Sequence, residues 1–194
     1  MPSPTKATPT KATPKRNRGP AAGPDNRRAL IAAAREVYAE SGLTVPFSAV
    51  AKRAGVGQGS LYRHFPDRTA LAVAVFEENV GDLEEYASAE GRTIDDLLGR
   101  VVDQAIVSTA FIELITADLH DPRVVPLGLR FNGVVSRLVD RERAAGHIGE
   151  HVEPEDVALA TGMLATELAR ADPAQRAEVA RRARRLFAAA FAPR

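Results

Sequence analysis

Residues 51–65 read AKRAGVGQGSLYRHF. This stretch decides the fold, because Gly55, Gly57 and Gly59 separate a short apolar-faced segment from a dense polar and aromatic one. Ahead of the glycines, Phe47, Val50, Ala51 and Ala54 recur at helical spacing, and Pro46 suits the first position of a helix. After them, Gln58 to Phe65 predicts a second short helix, closed by Pro66-Asp67. Gly55 stops the first helix, and Gly57 is an acceptable N-cap for the second. Gly59 gives up about 1 kcal/mol of helix propensity against Ala, a cost that close approach of the backbone to a ligand offsets.

Three chemistries compete for these residues. A dinucleotide loop needs G-x-G-x-x-G after a buried strand, but position 60 is Ser and the preceding FSAVAKRAG is helical and charged. A Walker-type loop needs a Gly-Lys-Ser/Thr ending, which is absent. Ser60 and His64 share a helix face, yet neither a carboxylate to orient the imidazole nor an oxyanion hole is identifiable. A helix-turn-helix explains more. AVAKRA, GVG and QGSLYRHF supply two short helices and a tight turn, small Ala51 and Ala54 allow the helices to cross, and Val56 and Leu61 plug the junction.

Working outward, residues 1–24 hold six of the 13 prolines, a repeated TKATP and a following KRNR. Such a segment buries too little apolar area to offset its ordering entropy and reads as a disordered basic tail. A helix from Asp25 or Asn26 to Ser41 carries Leu30, Ala33, Ala34, Val37 and Tyr38. Asp67 caps a fourth helix from Arg68 toward Tyr86. Beyond it lie a helix capped by Asp95, an apolar group from Phe111 to Leu119, a long helix over 124–145, and two helices started by Glu153-Pro154 and Asp172-Pro173. No useful strand alternation occurs, so the chain reads as all-α with about nine helices: a helix-turn-helix domain over 25–70 and a second helical domain over 71–194.

The net charge of +1 hides an asymmetry: residues 1–68 carry +8 and residues 69–194 carry −7. One part is suited to a polyanion and the other is not. Absence of Cys excludes disulfides and thiolate metal sites. The longest mostly apolar stretch, 105–117, is interrupted by Glu113 and is too short to span a membrane. With no apolar leader at the N-terminus, a cytoplasmic protein is expected. His147 and His151 have i, i+4 spacing, but Gly146 and Gly149 argue against one helix there, so no metal and no cofactor is expected.

The segment TVPFSAVAKRAGVGQGSLYRHFPDRTALAVAVFEE (44–78) resembles the DNA-binding domain of the TetR family of bacterial transcriptional regulators. Val50-Ala51, Ala54-Gly55-Val56 and Gly59-Ser60-Leu61-Tyr62 through His64-Phe65 carry the likeness. Gly57 stands where Ser or Thr is common, Arg68 where Lys is usual, and Val45-Pro46 replaces a polar cap. The resemblance implies that Ser60, Tyr62, His64 and Arg68 hold phosphates of a duplex, contacts that fix register rather than sequence. Gln58 and Arg63 are the candidates for base reading, since Gln pairs with adenine and Arg with guanine. Gly59 clears space for the DNA, and Ser48 and Lys52 reach its backbone. Arg16, Arg18, Arg27 and Arg28 approach from the tail side.

One helix-turn-helix makes too little contact for tight specific binding, so a dimer is expected. Val157, Thr161, Leu164 and Leu168 step by four, three and four, as do Val179, Ala183, Leu186 and Ala190. Doubled by a two-fold axis, these stripes make a four-helix bundle, the arrangement the resemblance also implies. The four arginines Arg181, Arg182, Arg184 and Arg185 read as a solvated face pairing with the acidic start at 153–156. The resemblance further implies a small-molecule cavity. Its candidate lining is Val101, Gln104, Ile106, Ser108, Phe111, Leu114, Ile115, Leu129, Phe131, Asn132 and Val135, and a modest hydrophobic or amphipathic ligand suits it. The resulting expectation is a homodimeric repressor that a ligand releases from a palindromic double-stranded operator. An activator or ligand-independent regulator, an all-α enzyme using the central cavity, and an interaction protein binding nucleic acid through its tail alone are the rivals.

Overall fold

The computed structural model describes residues 23–117 and 119–194; the side chains of 106–111 and 114–116 lie outside that description. Apart from Gly23 and Pro24, which open the first helix, the basic tail lies outside it too. The helices are α1 (Gly23–Ser41), α2 (Ser48–Arg53), α3 (Gln58–His64), α4 (Arg68–Ser88), α5 (Ile94–Ala117), α6 (Val125–Ala144), α7 (Pro154–Arg170) and α8 (Arg176–Phe191), with a 3-10 turn at Gly42–Thr44. The described residues therefore form eight α-helices and no strand, against the nine or so expected. The difference lies in α5. It runs through two apolar groups read as separate helices, because neither Gly nor Pro stands between Ile106 and Phe111 to break it.

Two buried clusters organise the chain. The first gathers Leu30, Ala34 and Tyr38 of α1, Val50 of α2, Leu61 of α3, Phe65, and Leu71 and Val75 of α4. The second gathers Leu97 and Leu98 of α5, Leu138 of α6 and Leu164 and Leu168 of α7. Among the described residues, two helices belong to both. Helix α4 adds Leu83 and Ala87 to the second cluster, and α6 contributes Leu127 to the first and Val134, Val135, Leu138 and Val139 to the second. The proposed domain boundary at residue 70 therefore falls inside an unbroken helix.

Helix ends are held by side chains. The Asp67 carboxylate accepts from the Ala70 amide at 2.7 Å. The start of α5 is capped by Thr93, not Asp95: Thr93 and Asp96 exchange amide-to-side-chain bonds of 3.0 Å each way. Asp95 instead pairs with Arg184 of α8 at 2.5 Å. The buried carboxylate of Glu142 accepts from the Ile94 amide at 2.8 Å, so α6 closes the α4–α5 connection.

The α7 stripe is corrected. Val157, Thr161, Leu164 and Leu168 are all buried within the monomer's own second core, and the Thr161 hydroxyl donates to the Val157 carbonyl at 2.7 Å. Helix α7 carries a second apolar stripe on its outer side, where Leu159 is 64% and Met163 58% exposed. On α8, Val179 and Ala183 are half-buried against the core, whereas Leu186 (70% exposed) and Ala190 face outward. The arginine run is also re-paired: Arg184 meets Asp95 and Arg181 meets Glu178, while Glu153 is held by Arg143.

Replacing Leu164 by Ala removes a side chain that is 1% exposed. It should cost about 2–5 kcal/mol of stability in a urea titration. As a core residue of one chain, it should leave the association state in sedimentation unchanged.

Candidate nucleic-acid interface

The turn between α2 and α3 is built by its glycines. Gly55 sits at φ +66°, in the left-handed region that closes a helix, and the Val56 amide reaches back to the Ala51 carbonyl at 3.0 Å. Gly57 is extended (φ −67°, ψ 143°), and its carbonyl accepts from the amides of Ser60 at 2.9 Å and Leu61 at 3.2 Å, starting α3. Gly59 differs: its φ is not positive, and an added Cβ would meet nothing within 4 Å. Among the described residues, nothing requires glycine there.

Helix α3 turns Leu61 inward, and Phe65 just past its end is buried too. The opposite face carries Gln58, Gly59, Tyr62 and Arg63, all exposed, with Ser60 and His64 half-buried at its margins. The Tyr62 ring is braced edge-on against Phe47, centroids 5.6 Å apart. Lys52 is exposed and Ser48 half-buried on the adjoining α2. The structure thus gathers Ser48, Lys52, Gln58, Gly59, Ser60, Tyr62, Arg63 and His64 onto the α2–α3 unit.

This face combines exposure with unused hydrogen-bonding capacity. Among the described residues, the side chains of Lys52, Gln58, Ser60 and Arg63 make no hydrogen bond or ion pair within the chain. Several other arginines are paired instead: Arg53 at the end of α2 is held by Glu36 at 2.9 Å and Glu40 at 2.6 Å, Arg35 by Glu78, and Arg130 by Glu84. Arg27 and Arg28, expected to approach DNA, pair with Glu77 and Asp25, and Arg27 also lies over the Phe65 ring. A free row of donors on one short helix suits an anionic, polar partner outside the chain.

Arg68 departs from expectation. Its guanidinium donates to the carbonyls of Leu43 at 3.0 Å and Val45 at 2.5 Å and lies over the Tyr38 ring at 5.7 Å. Both terminal nitrogens are engaged on the connection between α1 and α2, which has free carbonyls because the backbone there is irregular. Arg68 is thus a clamp of this unit rather than a side chain extended toward a phosphate. Burial pushes the Tyr38 hydroxyl pKa up, although the neighbouring Arg68 acts in the opposite sense.

The cavity residues scatter. Val101 and Val135 are buried in the second core, and Phe131 packs half-buried against it. The Gln104 amide donates to the Asn79 carbonyl at 3.1 Å. Leu129 and Asn132 are instead exposed on α6, whose inward face is the Val134–Val135–Leu138 side. The side chains of Ile106, Ser108, Phe111, Leu114 and Ile115 lie outside the described set. Two shallow apolar grooves, of about 400 and 510 Å³, run instead along the outer side of α7 and α8 beside Met163 and Phe187. No helix among the described residues is long and apolar enough to cross a membrane.

Comparison with known proteins agrees with this geometry. Residues 30–75 match the family model of bacterial regulatory proteins of the tetR family. Among solved structures, the fold is similar to a TetR transcriptional regulator from Streptomyces coelicolor, with 26% identity, a TM-score of 0.63, and coverage of 86% of this chain and 98% of that one. It is also similar to a protein of unknown function from Rhodococcus sp. RHA1 (26% identity, TM-score 0.61, covering 86% and 95%). A TetR transcription regulatory protein from Mycobacterium vanbaalenii shares the fold at 24% identity and TM-score 0.60, over 89% and 98%. No curated protein matches the sequence.

Replacing Arg68 by Gln leaves the two carbonyls of the α1–α2 connection without their charged donor. The expected loss is about 1–3 kcal/mol, seen as a lower midpoint in thermal or urea unfolding. Arg63→Gln, with no partner in the chain, should leave that midpoint unchanged.

Proposed function

We infer that this chain, which belongs to the tetR family of bacterial regulatory proteins, is a dimeric transcriptional regulator that places α3 in the major groove of a palindromic operator. One observation carries the reading: the exposed face of α3 holds Gln58, Tyr62 and Arg63 beside a glycine that no neighbour within the chain requires. Ser60, Tyr62, His64 and Lys52 are the groups suited to the phosphate backbone, and Gln58 and Arg63 the ones suited to base edges. Gly59 lets the backbone approach the duplex without a Cβ. A helix carrying two base-reading side chains discriminates by about 1–3 kcal/mol for each good bidentate pair, so a single copy is weakly specific.

The second copy docks, on this reading, through the open apolar side of α7 and α8. Leu159, Met163 and Leu186 supply large exposed side chains there, and Gly162 and Ala190 allow close approach. Two α7–α8 pairs around a two-fold axis make a four-helix bundle and set the α3 helices about 34–36 Å apart, one turn of the duplex. A hydrophobic or amphipathic effector bound among α4, α5 and α6 would favour a dimer with another spacing and release the operator. The effector must bind that state better for any shift to occur. This makes the chain a non-enzymatic repressor. An activator of the same geometry differs only in where its operator lies relative to the promoter.

Selection from a random duplex pool tests the reading: the dimer should enrich one palindromic sequence. Gln58→Ala should then relax preference at one position of each half-site, by about 1–3 kcal/mol against the wrong base. Gly59→Ala should raise thermal stability, by at most about 1 kcal/mol, while weakening the operator complex. Leu186→Arg should yield a folded monomer in sedimentation that no longer distinguishes a full palindrome from a half-site.

A further inference from the structure

Arg123 lies just before α6, 56 residues from Asp67, yet the two side chains meet. Its Nη1 donates to both Asp67 carboxylate oxygens, at 3.1 and 2.9 Å. Its Nε and Nη2 donate to Asp121, at 2.9 and 2.6 Å to the nearer oxygens. Asp121 also accepts the Arg123 amide at 2.9 Å, so the loop that presents the guanidinium is itself locked. Asp67 in turn caps α4 and stands two residues beyond Phe65, where α3 ends. Directly after Arg123, Val124 and Leu127 are buried in the same cluster as Leu61 and Phe65. The beginning of α6 thus joins the first core, and Arg123 ties it to the joint between α3 and α4.

We propose that Arg123 is a positioning residue for DNA recognition: through Asp67 it fixes the angle of α3 against the body of the chain. The proposal rests on the reading of α3 as the DNA-reading helix. Direct contact of Arg123 with a phosphate is disfavoured by its surroundings, because one guanidinium serves two carboxylates and the trio carries a net charge of −1. Both carboxylates are held ionised. At Asp67 burial opposes the charge, but the Ala70 amide and the Arg123 guanidinium outweigh it and lower the pKa. The Arg123 side chain and amide lower Asp121 to about 2.

The test uses the full chain and the duplex that the wild-type dimer selects. Asp67→Asn keeps a good N-cap, since Asn and Asp cap equally well, and removes a negative charge close to α3. Were charge alone at work, it would tighten binding. The proposal requires it to weaken binding by roughly five- to tenfold, the low end of coupling between sites. Arg123→Gln should weaken it as much, with the slope against salt unchanged. The double variant restores the net charge and should stay as weak as either single one, because both break the same bridge. Amide exchange of residues 58–70 in the DNA-free protein should quicken in all three. Binding that is unchanged or tighter with Asp67→Asn overturns the proposal, as does a salt slope lowered by about one in Arg123→Gln, the mark of a direct phosphate contact. Each leaves the regulator reading standing; a wild-type dimer that selects no duplex overturns both.

Discussion

A helix of seven residues cannot hold itself in water, and α3 has only that many. With Leu61 and the adjoining Phe65 as its only deep anchors, its direction is set by its surroundings. Gly55 and Gly57 fix where it begins, Asp67 starts the next helix close behind it, and Arg27 lies over the Phe65 ring at its end. Arg68 ties the start of α4 to the connection between α1 and α2. These supports come from opposite sides of the helix and leave one face open. That face carries the exposed side chains of Gln58, Tyr62 and Arg63.

The same economy shapes the rest of the chain. Among the described residues its two cores share α4 and α6, so the helix-turn-helix unit and the helices that follow it are joined by packed side chains rather than a linker. The bidentate pair between Arg130 and Glu84, at 3.0 and 2.6 Å, fastens these two helices to each other midway. A solvent-accessible pair of this kind, half-buried here, contributes little to stability, about 0–1 kcal/mol. Its role is register: it sets how far one helix has slid along the other. Arg141, which donates to the carbonyls of Ala87, Ala89 and Arg92, does the same at the far end.

Much of the recognition unit was legible in the sequence, because glycine, proline and capping residues act locally. Gly55, Gly57 and Asp67 mean the same thing in the chain as in the fold. The departures share a physical cause: side chains whose role depends on the groups across from them. Helix α7 has two apolar stripes of similar spacing, one through Val157 and Leu164 and one through Leu159 and Met163, and nothing inside the helix says which meets its own core. Arg68 can donate outward or inward, and only the free carbonyls of Leu43 and Val45 decide. The bridge between Arg123 and Asp67 spans 56 residues and carries no local signature at all.

The burial of Val124 and Leu127 in the same core as the helix-turn-helix unit has a consequence for modularity. Helix-turn-helix proteins invite cut-and-paste engineering, in which one reading head is grafted onto another sensor. Here the seam does not run in the order of the chain. A graft cut at α4 would leave behind two buried side chains of the first core, together with the arginine that bridges to Asp67. A working chimera has to carry residues 121–127 along with the N-terminal helices, as a split cassette stitched in at two places.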